Sequence, residues 1–314
     1  EGRFLFQSTS FWLRFISDAK IVIFVYLRRS PGFEGMDTDF KMVLRSIADI
    51  PMPRVCVVCG RKLLLREEHI CVVCEADLPL TGYAKMRENP LSLTFNELIQ
   101  RDLSEFEPFS HAAALFYYSG PYRKIAQALK YGRNFGEGRF FARMLGRDLA
   151  GSPLFADVDV VVPVPLHWRR RLSRGYNQAE IIARGVAAAL ASSCGKTPES
   201  KSVLHGRMPV VAPWLLQRRR HTRSQVLLQG RELRFSNVRS AFCVPQKALR
   251  RLKRLFPALS TSGPAQRAEC PLHLLLVDDV FTTGATLAAC QRALHAALGR
   301  GVRISVATLA CVNK

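Results

Sequence analysis

This sequence has no long apolar run and few acidic residues. No uninterrupted apolar run is longer than seven residues, the length of "IVIFVYL" at residues 21–27, whereas a membrane-spanning helix needs roughly 20. The wider stretch Phe11–Leu27 is broken by Arg14, Asp18 and Lys20. The sequence therefore predicts no membrane span. Because no small-residue cleavage pattern follows this stretch, a signal peptide is not expected either.

Acidic residues number 25 against 46 lysines and arginines, which gives a formal net charge of +21 over 314 residues. The excess is concentrated in residues 201–270, which hold 15 basic residues and 2 acidic ones. A field of this sign favours polyanions, meaning nucleic acid, phosphorylated small molecules or anionic lipid. A solvated basic insert without a ligand is the alternative interpretation.

Cysteine is sparse except in one segment. In "CVVCGRKLLLREEHICVVC", two Cys-x-x-Cys pairs are separated by eleven residues, and the four residues are Cys56, Cys59, Cys71 and Cys74. This spacing is typical of a tetrahedral zinc site with Zn–S bonds of about 2.3 Å. A disulfide pair, which needs an oxidising compartment, and a redox-active Cys-x-x-Cys are the alternatives. We expect structural zinc.

The chain is predicted to have four segments. Residues 1–52 are expected to be an N-terminal extension, residues 53–78 a zinc-ribbon segment and residues 79–110, which are mixed and turn-rich, a linker or docking segment. Over residues 111–314 apolar strands alternate with amphipathic helices, which predicts an α/β fold with a parallel sheet covered by helices on both faces. A basic insertion at about 243–271 contains "KALRRLKRLF", which predicts a short amphipathic helix.

The stretch "LLLVDDVFTTGATL" joins an apolar strand to Asp278 and Asp279 and then to a threonine-rich loop before a helix. In an open parallel sheet, ligands bind beyond the carboxyl ends of the strands. Backbone N–H groups and hydroxyls at a helix N-terminus bind phosphate, and Gly284 allows close approach of the backbone. The two carboxylates would accept hydrogen bonds from the vicinal hydroxyls of a sugar phosphate. Magnesium would join through ligand oxygens and water.

The same stretch resembles the phosphoribosyl pyrophosphate (PRPP) motif of type I phosphoribosyltransferases. The resemblance implies that Asp278 and Asp279 contact the ribose hydroxyls. It also implies that the loop binds the 5′-phosphate through Thr282, Thr283, Gly284, Ala285 and Thr286.

Two more stretches, "YSGPYRKIAQALKYG" (118–132) and "VVPVPLHWRRRLSRGYNQAEIIARGVA" (161–187), complete a larger pattern. Together with the cysteine pairs and the PRPP motif they are similar to the ComF family of competence-related proteins, over most of residues 53–312. The family joins a small zinc-binding segment to a phosphoribosyltransferase-like domain. The resemblance implies a type I phosphoribosyltransferase-like sheet. It also implies a cytoplasmic protein at the inner face of the membrane, beside a DNA-translocating helicase.

The resemblance implies two further sets of site residues. The segment after "VPVP" corresponds to the pyrophosphate loop, whose candidates for contacting a diphosphate or a DNA backbone are Arg169, Arg170, Arg171 and Arg174. A solvated basic loop is the alternative for these arginines. Residues 218–242 correspond to the family's flexible loop, with the candidates Thr222, Gln225, Arg234 and Asn237. The basic insertion that follows is longer than the family pattern predicts.

Two functions are compatible with these motifs. The first is the binding of PRPP, a related phosphorylated ligand or single-stranded DNA during DNA uptake and natural competence. The second is catalysis, as a phosphoribosyltransferase that uses PRPP and magnesium in purine or pyrimidine salvage. Such a transfer depends mainly on positioning and charge stabilisation, so it requires no side-chain nucleophile that a motif would reveal. The motifs name neither an acceptor base nor an oligomeric state.

Overall fold

The computed structural model describes residues 53–100, 109–131, 135–193, 208–218, 241–257, 259, 272–299 and 302–312. The chain divides into two compact units, the first ending at Ala76 and the second beginning at Asp77. The predicted N-terminal extension at residues 1–52 lies outside the described residues. So do the four flexible-loop candidates, Thr222, Gln225, Arg234 and Asn237.

The first unit holds the two cysteine pairs. Val55 and Lys62 form an antiparallel bridge on either side of the first pair, and the second pair is joined to helix α1 (Val72–Ala76). The Glu67 carboxylate accepts hydrogen bonds from the backbone N–H of Leu64 at 2.7 Å and of Val72 at 2.8 Å. Both bonds lower the pKa of Glu67. This side chain therefore ties the spacer to the start of α1.

The second unit is built on a parallel sheet of five strands. Their order across the sheet is β1 (Ala112–Tyr117), β7 (Val302–Cys311), β6 (Leu272–Phe281), β2 (Val160–Pro163) and β3 (Val210–Val211). Every neighbouring pair is parallel. A separate antiparallel ribbon is formed by β4 (Gln217–Arg218) and β5 (Phe242–Cys243).

Helices connect the strands, as parallel pairing requires. Short 3₁₀ turns occur at Tyr83–Lys85 and Gly120–Tyr122. The α-helices of this unit are α2 (Pro90–Gln100), α3 (Arg123–Tyr131), α4 (Phe135–Ala150), α5 (Trp168–Arg174), α6 (Gln178–Ser193), α7 (Gln246–Leu255) and α8 (Ala285–Leu298).

The central strands are buried on both faces of the sheet. On one face α2, α7 and α8 share an apolar core with alternate strand residues, and Phe95, Leu252 and Leu274 belong to it. On the other face α4 packs against α6, and these helices contact β1, β2, β6 and β7. A Cβ atom added at Gly185 would lie 2.5 Å from the Cβ of Ala142, so glycine is needed for this close approach. The predicted α/β fold is confirmed.

The stretch at residues 79–110, interpreted from its composition as a linker or docking segment, contains α2. Asn89 and Ser92 form reciprocal bonds at its start: the Ser92 N–H donates to the Asn89 side chain, and the Asn89 N–H donates to the Ser92 hydroxyl, both at 2.9 Å. Pro90 occupies the first helical position, where it loses no hydrogen bond. The helix buries Phe95 and Ile99, so this part of the stretch belongs to the core.

A polar network lies at the amino ends of β6 and β7. The buried His273 has its Nδ1 3.0 Å from Asp157 Oδ1 and its Nε2 2.9 Å from the hydroxyl of Ser305. Arg303 also donates to the Asp157 carboxylate. Burial lowers the pKa of His273. Burial acts to raise the pKa of Asp157, but hydrogen bonding to His273 and the charge of Arg303 lower it to about 2.

Candidate functional site

The four cysteines form a compact sulfur cluster, defined here as Cys56, Cys59, Cys71 and Cys74. Their sulfur atoms all lie within 4.8 Å of one another, and three of the four residues are buried. The Cys59 and Cys71 sulfurs are 3.8 Å apart, which is close to the separation that tetrahedral Zn–S bonds of about 2.3 Å impose. All four are free thiols. The cluster could hold a metal ion such as zinc.

The backbone favours the thiolate of Cys56, whereas burial raises the pKa of the Cys74 thiol. Burial acts to raise the pKa of the Cys56 thiol, but hydrogen bonds from the backbone N–H groups of Cys59 and Cys71 outweigh it and lower that pKa to about 7. The Cys71 N–H to Cys56 sulfur distance is 3.4 Å. Metal ligation requires the deprotonated sulfur, so these N–H groups support Cys56 as one of the predicted ligands.

The second candidate site lies at the carboxyl edge of the parallel sheet. Strands β2 and β6 pair with Pro163 opposite Val277. The segment that follows β2 and the acidic pair Asp278 and Asp279 therefore emerge side by side at this edge. The acidic pair and the segment with the arginines come from neighbouring strands. They are close in the fold although Pro163 and Asp278 are 115 positions apart in the sequence.

Asp278 is poised between its ionised and neutral forms near neutral pH. Burial, reinforced by the negative charge of Asp279, raises the pKa of Asp278 to about 7. The Asp278 carboxylate accepts a hydrogen bond from the Asp279 N–H at 2.9 Å, and Asp279 accepts one from Val280 at 2.8 Å. The pair keeps further acceptor capacity for hydroxyl donors.

Two cations face the acidic pair, and sequence reasoning did not single out either one. The Lys130 ammonium on α3 lies 3.0 Å from the Asp279 carboxylate. Lys130 and Arg218, the last residue of β4, are close enough to lower the pKa of Asp278. The guanidinium of Arg218 also lies over the ring of Phe242, 5.3 Å from its centroid. Lys130 lies in "YSGPYRKIAQALKYG", one of the stretches that resemble the ComF family. Its place in that motif was the sequence signal that could have identified it.

The loop after β6 is open to solvent at its threonines. Thr282 and Thr283 are exposed, whereas Gly284 and Ala285 are buried. Gly284 precedes α8 with a φ of 76°, and an added Cβ would lie 2.6 Å from Phe281 and 2.9 Å from Leu98. Only glycine fits both this backbone conformation and this space. Hydroxyls and N–H groups are thereby presented at the N-terminus of a helix of 14 residues.

The four candidate arginines lie on α5, a helix that sequence reasoning treated as a loop. Arg171 is exposed and Arg174 is partly buried. Gly175 ends this helix with a φ of 80°, and the amide of Asn177 donates to the carbonyl of Val164 at 3.0 Å. That bond closes the segment between β2 and α6 at the carboxyl edge of the sheet.

A small cavity of about 60 Å³ opens beside Thr282 at the same edge. Tyr83 and Tyr117 line it, with their hydroxyl oxygens 3.0 Å apart and their rings nearly perpendicular. Among the described residues, no helix is both long enough and apolar enough to cross a membrane.

Comparison with known proteins gives relatives along most of the chain. No family model matches it. It is 26% identical over 252 residues to the DNA utilization protein YhgH of Salmonella typhi, covering 76% of this chain and 89% of that protein. Identity to the protein of the same name from Escherichia coli is 26% over 249 residues, with the same coverage. The Competence protein F of Haemophilus influenzae is 23% identical over 236 residues, covering 74% of this chain and 86% of that protein.

These relatives are 23–26% identical to the chain over about three quarters of its length. The order of motifs along the chain predicts the same relationship. The relatives and the motifs together support placing the chain with the ComF family.

Proposed function

We propose that this chain binds a PRPP-type sugar phosphate at the carboxyl edge of its sheet and acts in DNA uptake or utilization. The observation that supports the proposal best is the continuous run from the acidic pair to α8. It puts two carboxylates two residues before an exposed pair of threonines, Thr282 and Thr283, which are followed by the glycine that precedes the helix.

Each part of this run suits one part of the ligand. Asp278 and Asp279 accept hydrogen bonds from the vicinal ribose hydroxyls. The 5′-phosphate is bound by N–H groups and hydroxyls of Thr282, Thr283, Gly284, Ala285 and Thr286, where the helix dipole favours an anion. Magnesium reaches the site with the diphosphate and keeps several water ligands, since it dehydrates reluctantly.

The diphosphate requires counter-charge on the side of β2. Arg171 and Arg174 on α5, with Arg169 and Arg170 before them, are the candidates, because guanidinium groups bind phosphate oxygens in a bidentate manner. The resemblance adds Thr222, Gln225, Arg234 and Asn237 as residues that approach the ligand from the segment between β4 and β5. Lys130 and Arg218 join this set because they already neutralise the acidic pair.

We further propose that the sulfur cluster binds one structural zinc ion. A unit of this size buries little apolar surface, so a metal would contribute much of its stability.

The DNA role comes from the relatives, two of which are named for DNA utilization and one for competence. The net charge of +21 supports single-stranded DNA as a ligand, and a DNA-translocating helicase is the proposed protein partner.

The alternative function is catalysis, as a phosphoribosyltransferase. The cavity beside Thr282 favours it, because an acceptor has to reach the anomeric carbon from this edge. Such a transfer would release pyrophosphate as the acceptor nitrogen bonds to the anomeric carbon.

Calorimetric titration of PRPP with magnesium tests the proposal directly. Wild-type protein should bind, and the Asp278→Asn/Asp279→Asn protein should not. The Asp148→Asn protein is a suitable control, because Asp148 is another partly buried carboxyl whose pKa burial raises, near the end of α4. Absence of binding to the wild-type protein would sink the sugar-phosphate assignment. Release of pyrophosphate with one base of a panel would establish the transferase.

A further inference from the structure

The first part of the basic insertion contains a regular helix, α7, whose cations all lie on its solvent side. Ala248 and Leu252 are buried in the core that α7 shares with the sheet. All five cations of the helix are exposed, and they are Lys247, Arg250, Arg251, Lys253 and Arg254. The ten-residue helix contains no acidic residue. We call these five residues the α7 cation face.

Helix stability explains only part of this composition, because the helix dipole favours Lys253 and Arg254 in the last turn but not the other three cations. Lys247 and Arg251, like Arg250 and Arg254, are like-charged pairs four residues apart, which repel each other. Lys247 also lies in the first turn, where the helix dipole disfavours a cation. Among the described residues, none of the salt bridges involves the five cations. A face that repels itself and lacks acidic partners within the described chain suits an external polyanion.

One aromatic ring accompanies the cations. The guanidinium of Arg251 lies over the ring of Trp214, 4.4 Å from its centroid, and Trp214 is partly exposed. Arginine planes and aromatic rings are the surfaces on which unpaired bases stack. The Arg251–Trp214 pair thus adds a surface for base stacking to the α7 cation face.

The arrangement favours nucleic acid over a membrane surface. A helix that lies in a bilayer interface turns large apolar residues towards the lipid. In α7 the apolar side chains Ala248 and Leu252 face the protein core, and Leu255, at the end of the helix, is the large apolar residue most exposed, at 39%. A face of this kind can contact phosphates but offers little to insert into a membrane.

We propose that the α7 cation face, with Trp214 beside it, is a binding surface for single-stranded DNA, separate from the sugar-phosphate site. The choice of DNA as the polyanion rests on the proposed function. The surface contacts phosphates through Lys247, Arg250 and Arg254, which recur at three- and four-residue spacing on one side of the helix. Arg251 and Trp214 are available to stack on bases.

The test compares two triple variants that remove the same charge. One is Lys247→Gln/Arg250→Gln/Arg254→Gln on α7. The matched control is Arg139→Gln/Arg143→Gln/Arg147→Gln, which removes three exposed arginines from one side of α4. Binding of a fluorescent oligothymidylate is measured by anisotropy across a series of salt concentrations. Thermal unfolding of both proteins checks that they are folded.

The α7 variant should lose about tenfold or more in affinity. The slope of log K against log salt should become shallower by about 2, since each phosphate contact on a single strand contributes about 0.7. The α4 variant should keep most of its affinity for the oligothymidylate and most of its salt dependence. A charge-retaining variant, Lys247→Arg/Arg250→Lys/Arg254→Lys, should bind as wild type and thereby separates charge from folding.

Equal losses in the two glutamine variants, or no loss in either, would overturn the proposal. It would also be overturned if the α7 variant lost binding to vesicles of phosphatidylcholine and phosphatidylglycerol while keeping its affinity for oligothymidylate. The Asp278→Asn/Asp279→Asn protein should bind DNA as wild type. If the wild-type protein fails to bind PRPP but shows α7-dependent DNA binding, the sugar-phosphate proposal fails and the α7 surface stands.

Discussion

The ammonium of Lys130 lies 3.0 Å from the carboxylate of Asp279 and links α3 to the end of β6. Both side chains are largely buried, with 27% and 14% of their surface exposed. The ion pair therefore adds a positive charge to the carboxyl edge of the sheet, where Asp278 and Asp279 would otherwise repel each other.

We expect Lys130→Gln to weaken the binding of PRPP with magnesium by about 5- to 10-fold, which is the size of one partly buried charge interaction. The positive charge lowers the pKa of Asp278, so its removal should also move the pH midpoint of binding upwards. Calorimetry at several pH values measures both effects. Lys124→Gln, on the exposed side of the same helix, is the control and should bind as wild type. Tighter binding by the Lys130 variant would mean that Lys130 competes with the ligand.

Asp278 should reduce the stability of the protein at neutral and alkaline pH. Its pKa is raised from 3.8 to about 7, so between these values the folded state binds more protons than the unfolded state. Stability therefore falls as pH rises from about 4 to about 7. Asp278→Asn should raise the free energy of unfolding by about 1–2 kcal/mol at pH 8 and leave it nearly unchanged at pH 4.

Urea unfolding at the two pH values measures this difference. Glu180→Gln is the control, since Glu180 forms an i,i+4 pair with the exposed Arg184 and such helix pairs contribute little. A loss of stability in Asp278→Asn at pH 8 would show that the ionised carboxylate is stabilising. A gain in stability at pH 8 together with loss of PRPP binding is the result expected for a residue that serves ligand binding at a cost in stability.

Gly284→Ala should destabilise the protein by about 2–3 kcal/mol, because the left-handed backbone costs about 1–2 kcal/mol for alanine and the new methyl group meets Phe281. Gly82→Ala separates the two effects. Gly82 has the same left-handed backbone conformation, with a φ of 68° and a ψ of 7°, but an added Cβ there has no atom within 4 Å. Chemical unfolding should show a larger loss at Gly284 than at Gly82. Equal losses would mean that the loop adjusts to the methyl group.

Purified protein should contain about one zinc ion per chain, and Cys56→Ser should lose most of it. Loss of a buried ligand should also lower the unfolding temperature of the cysteine-rich unit. Elemental analysis and thermal unfolding measure the two effects. Cys243→Ser removes a partly buried thiol outside the cluster and should leave the zinc content unchanged. Full zinc content in the Cys56 variant would contradict the four-cysteine site.

The apolar strands that became β1, β2, β6 and β7 were predicted from the sequence, because they are largely buried and read as apolar runs. The two-residue strands β3, β4 and β5 were not predicted. Helix α2 was missed, since its stretch reads as turn-rich overall. The signal was present in "NPLS", where Asn89 and Ser92 cap the helix and Pro90 fits its first turn.

Some residues of the candidate site could be predicted from the sequence and others could not. Asp278 and the loop after it are contiguous, so one motif reveals them. Lys130 and Arg218 approach Asp278 from α3 and β4, and sequence spacing carries no information about such tertiary contacts. The ion pair and the raised pKa of Asp278 depend on burial, which appears only once the elements are packed.

The network of Asp157, His273, Arg303 and Ser305 joins β6 and β7 to the segment before β2 at the edge of the sheet opposite the acidic pair. The residues at the two edges of the sheet therefore differ in how strongly they depend on one another. Residues at the amino edge are held by their mutual contacts, so replacement of one requires compensation by the others. Loops at the carboxyl edge can diverge with less effect on the sheet, and a ligand preference could change there while the fold is inherited intact.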